Sequence, residues 1–130
     1  MHYQLGRFTD AEQILLNVAL KNYSKMGSRI GLMNTYNLLG KVYLANNKYT
    51  QSMWFYTQQG ILAKQLKSNN SYIESVLGVA QVKIKKKDFS LALKDLKTAE
   101  YLATSIKSTQ YKAQIKDARE AITNKGTTKK

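Results

Sequence analysis

The chain has no cysteine, no proline, one histidine (His2) and no long apolar run. Without cysteine there is neither a disulfide framework nor a thiolate metal site, so composition fixes no redox compartment. Without proline no position is barred from helix, and the abundant Ala, Leu, Lys and Gln lose little rotamer freedom there. Spanning a bilayer takes about 18 or more consecutive apolar residues, and no such stretch occurs. The first residues, Met1 to Arg7, lack the apolar core of a secretory signal. The compartment expected from these two absences is cytoplasmic.

The chemistry of catalysis is also missing. His2 sits at the terminus, no cysteine nucleophile exists, and the eight carboxylates show no metal-ligand spacing such as H-E-x-x-H. No strand pattern is followed by a glycine-rich loop. The expectation is a protein that is not an enzyme and uses no metal and no cofactor.

Acidic residues are scarce, and their absence is local. None lies between Glu12 and Glu74, where Lys21, Lys25, Arg29, Lys41, Lys48, Lys64 and Lys67 all occur. From Lys83 onward, thirteen basic residues face only Asp88, Asp95, Glu100, Asp117 and Glu120, and the net charge reaches +13. Such a surface attracts anions and acidic partners, although a lysine-rich solvated face is the plainer explanation. Nucleic acid fits poorly. The cluster Lys83, Lys85, Lys86, Lys87 and the Lys129–Lys130 end could neutralise phosphates, yet the only arginines are Arg7, Arg29 and Arg119. The planar arginine fork is the better reader of phosphates and bases, and no nucleic-acid module is recognisable.

What the chain does have is a repeat. Tyr36-x2-Leu39-Gly40-x2-Tyr43 is followed by Tyr49-x2-Ser52-x3-Tyr56. Forty residues on come Val76-x2-Val79-Ala80 and then Phe89-x2-Ala92-x3-Leu96, while Phe8-x2-Ala11-x3-Leu15 supplies only a second half. Apolar positions recur with helical spacing throughout. Six helices are expected: Asp10 to Met26, opened by the capping box Thr9-x2-Glu12 and stopped by Gly27; Arg29 to Ala45, capped by Ser28 and ended by Asn46-Asn47; Thr50 to Lys67; a fourth opened by Ser71-x2-Glu74 and ending near Lys87; Phe89 to Ile106, capped by Asp88; and Thr109 to Asn124. Short connections make neighbours antiparallel. Gly40, Ala80, Ser52 and Ala92 are small where helices cross closely. Tyr36, Leu39, Tyr43, Tyr56, Val76, Val79 and Leu96 fill the space between, and Tyr49 and Phe89 anchor the turns. Met53, Trp54 and Phe55 lie outside this pattern, either as an exposed patch or, the preferred alternative, buried against the preceding pair.

These residues resemble the tetratricopeptide repeat, whose signature runs W-x2-L-G-x2-Y and then A-x3-F. Tyr36 stands for the tryptophan, and Leu39-Gly40 and Tyr43 are intact. Lys83 replaces a tyrosine in the later unit, and Gln59 takes a place normally small, with Gly60 beside it. The period of about 40 exceeds the usual ~34 and is similar to the longer-helix variety. The resemblance implies an all-α, right-handed superhelical stack of antiparallel helix pairs with a C-terminal capping helix. It divides residues 1–124 into a half repeat 6–27, repeats 28–68 and 69–106, and a cap 108–124, before a flexible basic tail 125–130. Leu15, Leu16, Val18 and Leu20 would lack a covering neighbour, since no such repeat buries its apolar face alone. The expectation is therefore a fragment of a larger protein, with self-association through the incomplete repeat as the alternative.

In this family the first helices of each pair line a concave groove that binds proteins or peptides. The resemblance thus implies a non-catalytic scaffold, with a sensor or oligomerisation segment of a larger signalling or transcriptional regulator as the second reading. The face left free by the core carries Asn34, Asn37, Lys41 and Leu44-Ala45 on one pair. On the next it carries Glu74, Leu77-Gly78, Gln81 and Ile84-Lys85. The expected contacts are Asn34, Asn37, Lys41, Gln81 and Lys85: amides both donate and accept toward an extended backbone, and lysine suits an acidic side chain. The carboxylate clamp of chaperone-binding members is not expected, because Leu77 and Gln81 stand where a second Asn and Lys would be needed.

Overall fold

The computed structural model describes residues 28–128 together with Ile14. The expected first helix and half repeat therefore lie outside the described residues, Ile14 aside. Five helices follow: α1 (Arg29–Ala45), α2 (Tyr49–Gln65), α3 (Asn69–Lys85), α4 (Phe89–Ser105) and α5 (Thr109–Thr128). The described residues contain no strand. The last helix runs past its expected end at Asn124 as far as Thr128.

The periodicity is tighter than the 40 residues of the sequence pattern. Helices begin at 29, 49, 69, 89 and 109, a spacing of 20. Each of the first four has 17 residues, followed by a three-residue connection. That connection is one turn used four times. Asn47, Lys67, Lys87 and Lys107 all have positive φ, between 56° and 66°. Two backbone bonds close each turn: at the first, Lys48 N donates to Tyr43 O at 2.9 Å and Asn47 N to Leu44 O at 3.0 Å. The same pair recurs at Ser68 and Lys67, Asp88 and Lys87, and Ser108 and Lys107. This is the Schellman arrangement, which satisfies carbonyls the helix end would leave unpaired. Lysine has no special fitness for the left-handed region, so three of these stops carry no residue-type signal.

Helix starts alternate. Ser28, Ser68 and Ser108, spaced by 40, accept from the backbone N–H three residues on, at 3.2, 3.4 and 3.2 Å. Each odd-numbered helix thus has a serine N-cap. The expected capping box at Ser71 is displaced, since the turn at Lys67 ends α2 early and Ser68 becomes the cap. Asp88 occupies the N-cap of α4 but makes no side-chain cap bond.

Consecutive helices pack against each other; α1 also touches α3, and α3 touches α5, whereas α2 and α4 do not meet. Tyr56 of α2 stands at the centre of the first seam, 3 % exposed. A Cβ built on Gly40 of α1 would lie 2.7 Å from its ring, and one on Gly78 of α3 would overlap the ring. Two glycines on two helices therefore make room for one aromatic. Ser52 Oγ donates to Gly40 O at 2.6 Å, so the small residue expected there also satisfies a carbonyl at the crossing.

The two pairs solve the same packing problem differently. Tyr43 stacks on Phe55 at 5.3 Å, and forty residues later the same two positions hold Lys83 and Asp95, joined at 2.7 Å. The lysine that breaks the repeat signature is thus one half of an ion pair. Phe55 is buried, but against Tyr36 and Tyr43 of α1 in its own pair and not against the preceding one. Its neighbour Trp54 is 53 % exposed, edge-on to Phe55 and Tyr36. Beyond this aromatic seam the core is mainly aliphatic, built from Ile73, Leu77, Ala92, Leu96, Ala99 and Ile115 of α3, α4 and α5 with Tyr111 among them and Phe89 at its edge.

Replacing Gly78 by Ala adds a methyl group where Tyr56 leaves no space. We expect a loss of about 1–3 kcal/mol, the usual cost of overpacking, despite the gain in helix propensity. In a Tyr56→Leu background, which copies the native Leu96 of the next pair, the penalty should vanish. Denaturant titration of the three variants measures it, and an equal loss in both backgrounds would contradict the wedge.

Candidate binding trough

Part of the stripe of α1 and α3 expected to be left free by the core faces a trough whose far wall is α5. But Leu77, Gly78 and Ile84 of that stripe are buried, Leu77 and Ile84 within the core shared with α4 and α5. Asn37, Lys41, Glu74, Leu77, Gly78 and Gln81 line it from α1 and α3, Gln110, Tyr111 and Gln114 from α5, and Tyr56 from α2. This hollow has a volume of about 270 Å³. It adjoins a second of about 310 Å³ that shares Gln81 and Gln114 and adds Ile84, Asp117, Ala118 and Ala121. Three of the five expected contact residues, Asn37, Lys41 and Gln81, are therefore brought together. Asn34 and Lys85 are exposed on the same helices but line neither hollow.

A chain of polar contacts crosses four helices at this wall. Asn37 Nδ2 donates to Gln59 Oε1 at 3.0 Å, and Gln59 Nε2 donates to Ser71 O at 3.1 Å and to Glu74 Oε1 at 3.5 Å. Tyr111 Oη donates to Glu74 Oε2 at 3.3 Å and to Asn70 O at 3.4 Å. Gln59 is only 1 % exposed, so its amide needs these partners: an unpaired buried amide costs about 1–3 kcal/mol. The glutamine that departs from the small-residue pattern thereby ties α1 to α3. One pair later, Asn37 and Gln59 are matched by the apolar Leu77 and Ala99, and the polar crossing is not repeated. Asn37 is accordingly a partner of the scaffold as well as a lining residue.

The expected contacts do not include the wall supplied by α5, because the resemblance makes the last helix a C-terminal cap. The signal was present: adding 40 to Glu74, Leu77 and Gln81 gives Gln114, Asp117 and Ala121, and all three line the two hollows. Tyr56 was assigned wholly to the core, and its ring is indeed buried, but it also borders the trough. Among the described residues no group of three or more His, Asp or Glu is placed to hold a metal ion. No described helix is long and apolar enough to cross a membrane.

Two phenols are perturbed here. Burial pushes Tyr56 from its ordinary 10.0 up to about 12. Tyr111 rises to about 12 as well, through burial first and then the charge of Glu74 and the hydrogen bond to it.

Compared with models of known protein families and with curated proteins, the sequence matches none. The likeness to tetratricopeptide repeats rests on the residues quoted above.

Because both phenols hold their proton more tightly when folded, their contribution is complete below pH 10 and is lost as pH rises toward 12. The double variant Tyr56→Phe/Tyr111→Phe should therefore lose less stability than the wild type between pH 10 and 12, read as the change in denaturant midpoint. Parallel declines would refute the assignment.

Proposed function

We propose that the protein is a non-catalytic scaffold that binds a protein segment or peptide in this trough. In this reading the helices form a right-handed superhelical stack of tetratricopeptide-like pairs, with α1, α3 and α5 on the concave side. Contacts among the odd-numbered helices and none between α2 and α4 support it, since a stack closer-packed on one side curves toward that side. The uniform 20-residue register supports it too.

The single observation that carries the function is the lining: exposed Gln81, Gln110 and Gln114 beside Lys41 and Glu74. Amides can pair with both the N–H and the C=O of an extended chain, and an extended chain offers both at every residue. Between Lys41 and Glu74 the trough has a cation and an anion to orient side chains. Of the chain's excess positive charge, this trough holds little. Acidic partners drawn by the +13 surface are thus selected at the trough by hydrogen bonding more than by charge. A second reading, a segment of a larger regulator that self-associates, is favoured by the exposed Ile30, Leu38, Trp54 and Ile61 on α1 and α2.

Peptides selected from a random display library against the purified protein provide the test. The triple variant Lys41→Ala/Gln81→Ala/Gln114→Ala should weaken their binding by at least about tenfold, a loss of ~1.4 kcal/mol, with the melting temperature unchanged. Asn37 is left alone because it holds Gln59. Lys94→Ala/Thr98→Ala on the exposed side of α4 should have no effect. Selected peptides that bind the triple variant as tightly as the wild type would rule the trough out.

A further inference from the structure

A second hollow among the described residues is larger than the trough. It lies along the seam between α4 and α5 and has a volume of about 770 Å³. Tyr101, 75 % exposed, is the most exposed large apolar side chain among the described residues and lies in it. Around it stand Lys97 of α4 and Lys112, Lys116 and Arg119 of α5, with Glu100 and Glu120 as the two acidic residues. Arg119 grips Glu100 through both nitrogens, at 2.7 and 3.1 Å, which holds the Glu100 carboxyl below its usual range with smaller help from Lys112 and Lys97. Lys97, Lys112 and Lys116 make no ion pair among the described residues. The hollow is therefore an aromatic anchor inside a net positive rim.

The repeat says what shape covers the α5 half of such a place. The α4 half has no such cover: Ile61, the counterpart of Tyr101 forty residues earlier, is 49 % exposed and α2 does not meet α4, so an occupant reaching Tyr101 must sit nearer the seam. Forty residues earlier, the positions of Lys116, Arg119, Glu120 and Thr123 are held by Val76, Val79, Ala80 and Lys83 on α3. There the covering element is a helix, α4: Ala80 and Val76 pack with Ala92 and Leu96, and Lys83 pairs with Asp95 of that helix. On α5 the apolar pair Val76 and Val79 has become Lys116 and Arg119, so a helix seated in the same way would meet cations. A second copy of this chain is a poor occupant, because both copies carry +13. Phosphate is opposed by the two glutamates and by the one arginine already being taken.

The geometry points to a second interaction surface at the α4–α5 seam, one that docks an acidic amphipathic helix with an apolar residue over Tyr101 and carboxylates on Lys97, Lys112 and Lys116. Helix-in-groove recognition works in this way, with apolar anchors at i, i+3, i+4 and i+7 and charges at the rim setting partner choice. This surface is separate from the amide-lined trough and does not depend on it.

The probe is a labelled helical peptide of 17 residues, matching α4 in length, with leucines along one face and glutamates flanking them. Its controls are a scrambled peptide of identical composition, which has no apolar face, and a single-stranded RNA of equal charge. Fluorescence anisotropy near physiological salt should show saturable binding of the helical peptide, weakening as salt rises. Tyr101→Ala should cost about tenfold or more, as for a buried aromatic anchor, and Lys112→Glu/Lys116→Glu should cost more. All three side chains are exposed, so folding should persist, and circular dichroism checks that it does. The trough variant Gln81→Ala/Gln114→Ala should bind the helix normally. Equal binding of the scrambled peptide, tighter binding of the RNA, or indifference to the Tyr101 and lysine changes would each overturn the proposal.

Discussion

The structure depends on one steric fit, the Tyr56 ring held between Gly40 and Gly78. An aromatic side chain buries a large apolar area, worth about 1.5–3 kcal/mol when fully covered. That area can be covered from both sides only if two helices present bare backbone at the same height. Gly40 and Gly78 do so, and their helices, α1 and α3, are brought together over the residue between them. The buried Gln59, one turn along α2, then fixes the same two helices by hydrogen bonds to Asn37 and to Ser71 O. Packing sets the approach of α1 to α3, and the polar crossing sets its register. The trough is the hollow left on the far side of that approach.

The second constraint is the turn. A left-handed residue followed by an immediate helix start gives a stop of fixed length, and four such stops give five helices in a 20-residue register. Fixed register is what brings Glu74, Gln81, Gln110 and Gln114 to one surface although up to 40 residues separate them. Where the register repeats, side chains substitute in matched sets. Tyr43 with Phe55 gives way to Lys83 with Asp95, and Asn37 with Gln59 to Leu77 with Ala99. Each set is compatible within itself, which is how a degenerate repeat keeps its packing while its signature fades.

Much of the helix plan was legible in the sequence for a physical reason. Helices with apolar faces of regular spacing announce themselves, and α1 was bounded to the residue because Ser28 and Asn46-Asn47 have the chemistry of a cap and a turn. The ends of α2 and α3 were read about two residues long because Lys67 and Lys87 sit in a backbone region that lysine does not advertise. Ser71 has the chemistry of a cap but lies inside α3, where Ser68 takes that place. Of the candidate contacts, Asn37, Lys41 and Gln81 were found by following the face left free by the core. The α5 wall was lost by treating the last helix as a cap in place of adding the period once more. The polar crossing could not be anticipated, since Gln59 and its partners are brought together only by the Tyr56 fit.

We propose that the trough lined by α1, α3 and α5, and not the exposed faces of α2 and α4, receives an extended segment. Backbone amide NMR spectra of the protein, recorded with and without a display-selected peptide, address it most directly. The account predicts that the largest shift changes fall on Lys41, Glu74, Gln81, Gln110, Tyr111 and Gln114, with α4 near Lys94 and Thr98 unmoved. Changes concentrated on the outward side chains of α2 and α4, with the trough residues silent, would contradict it.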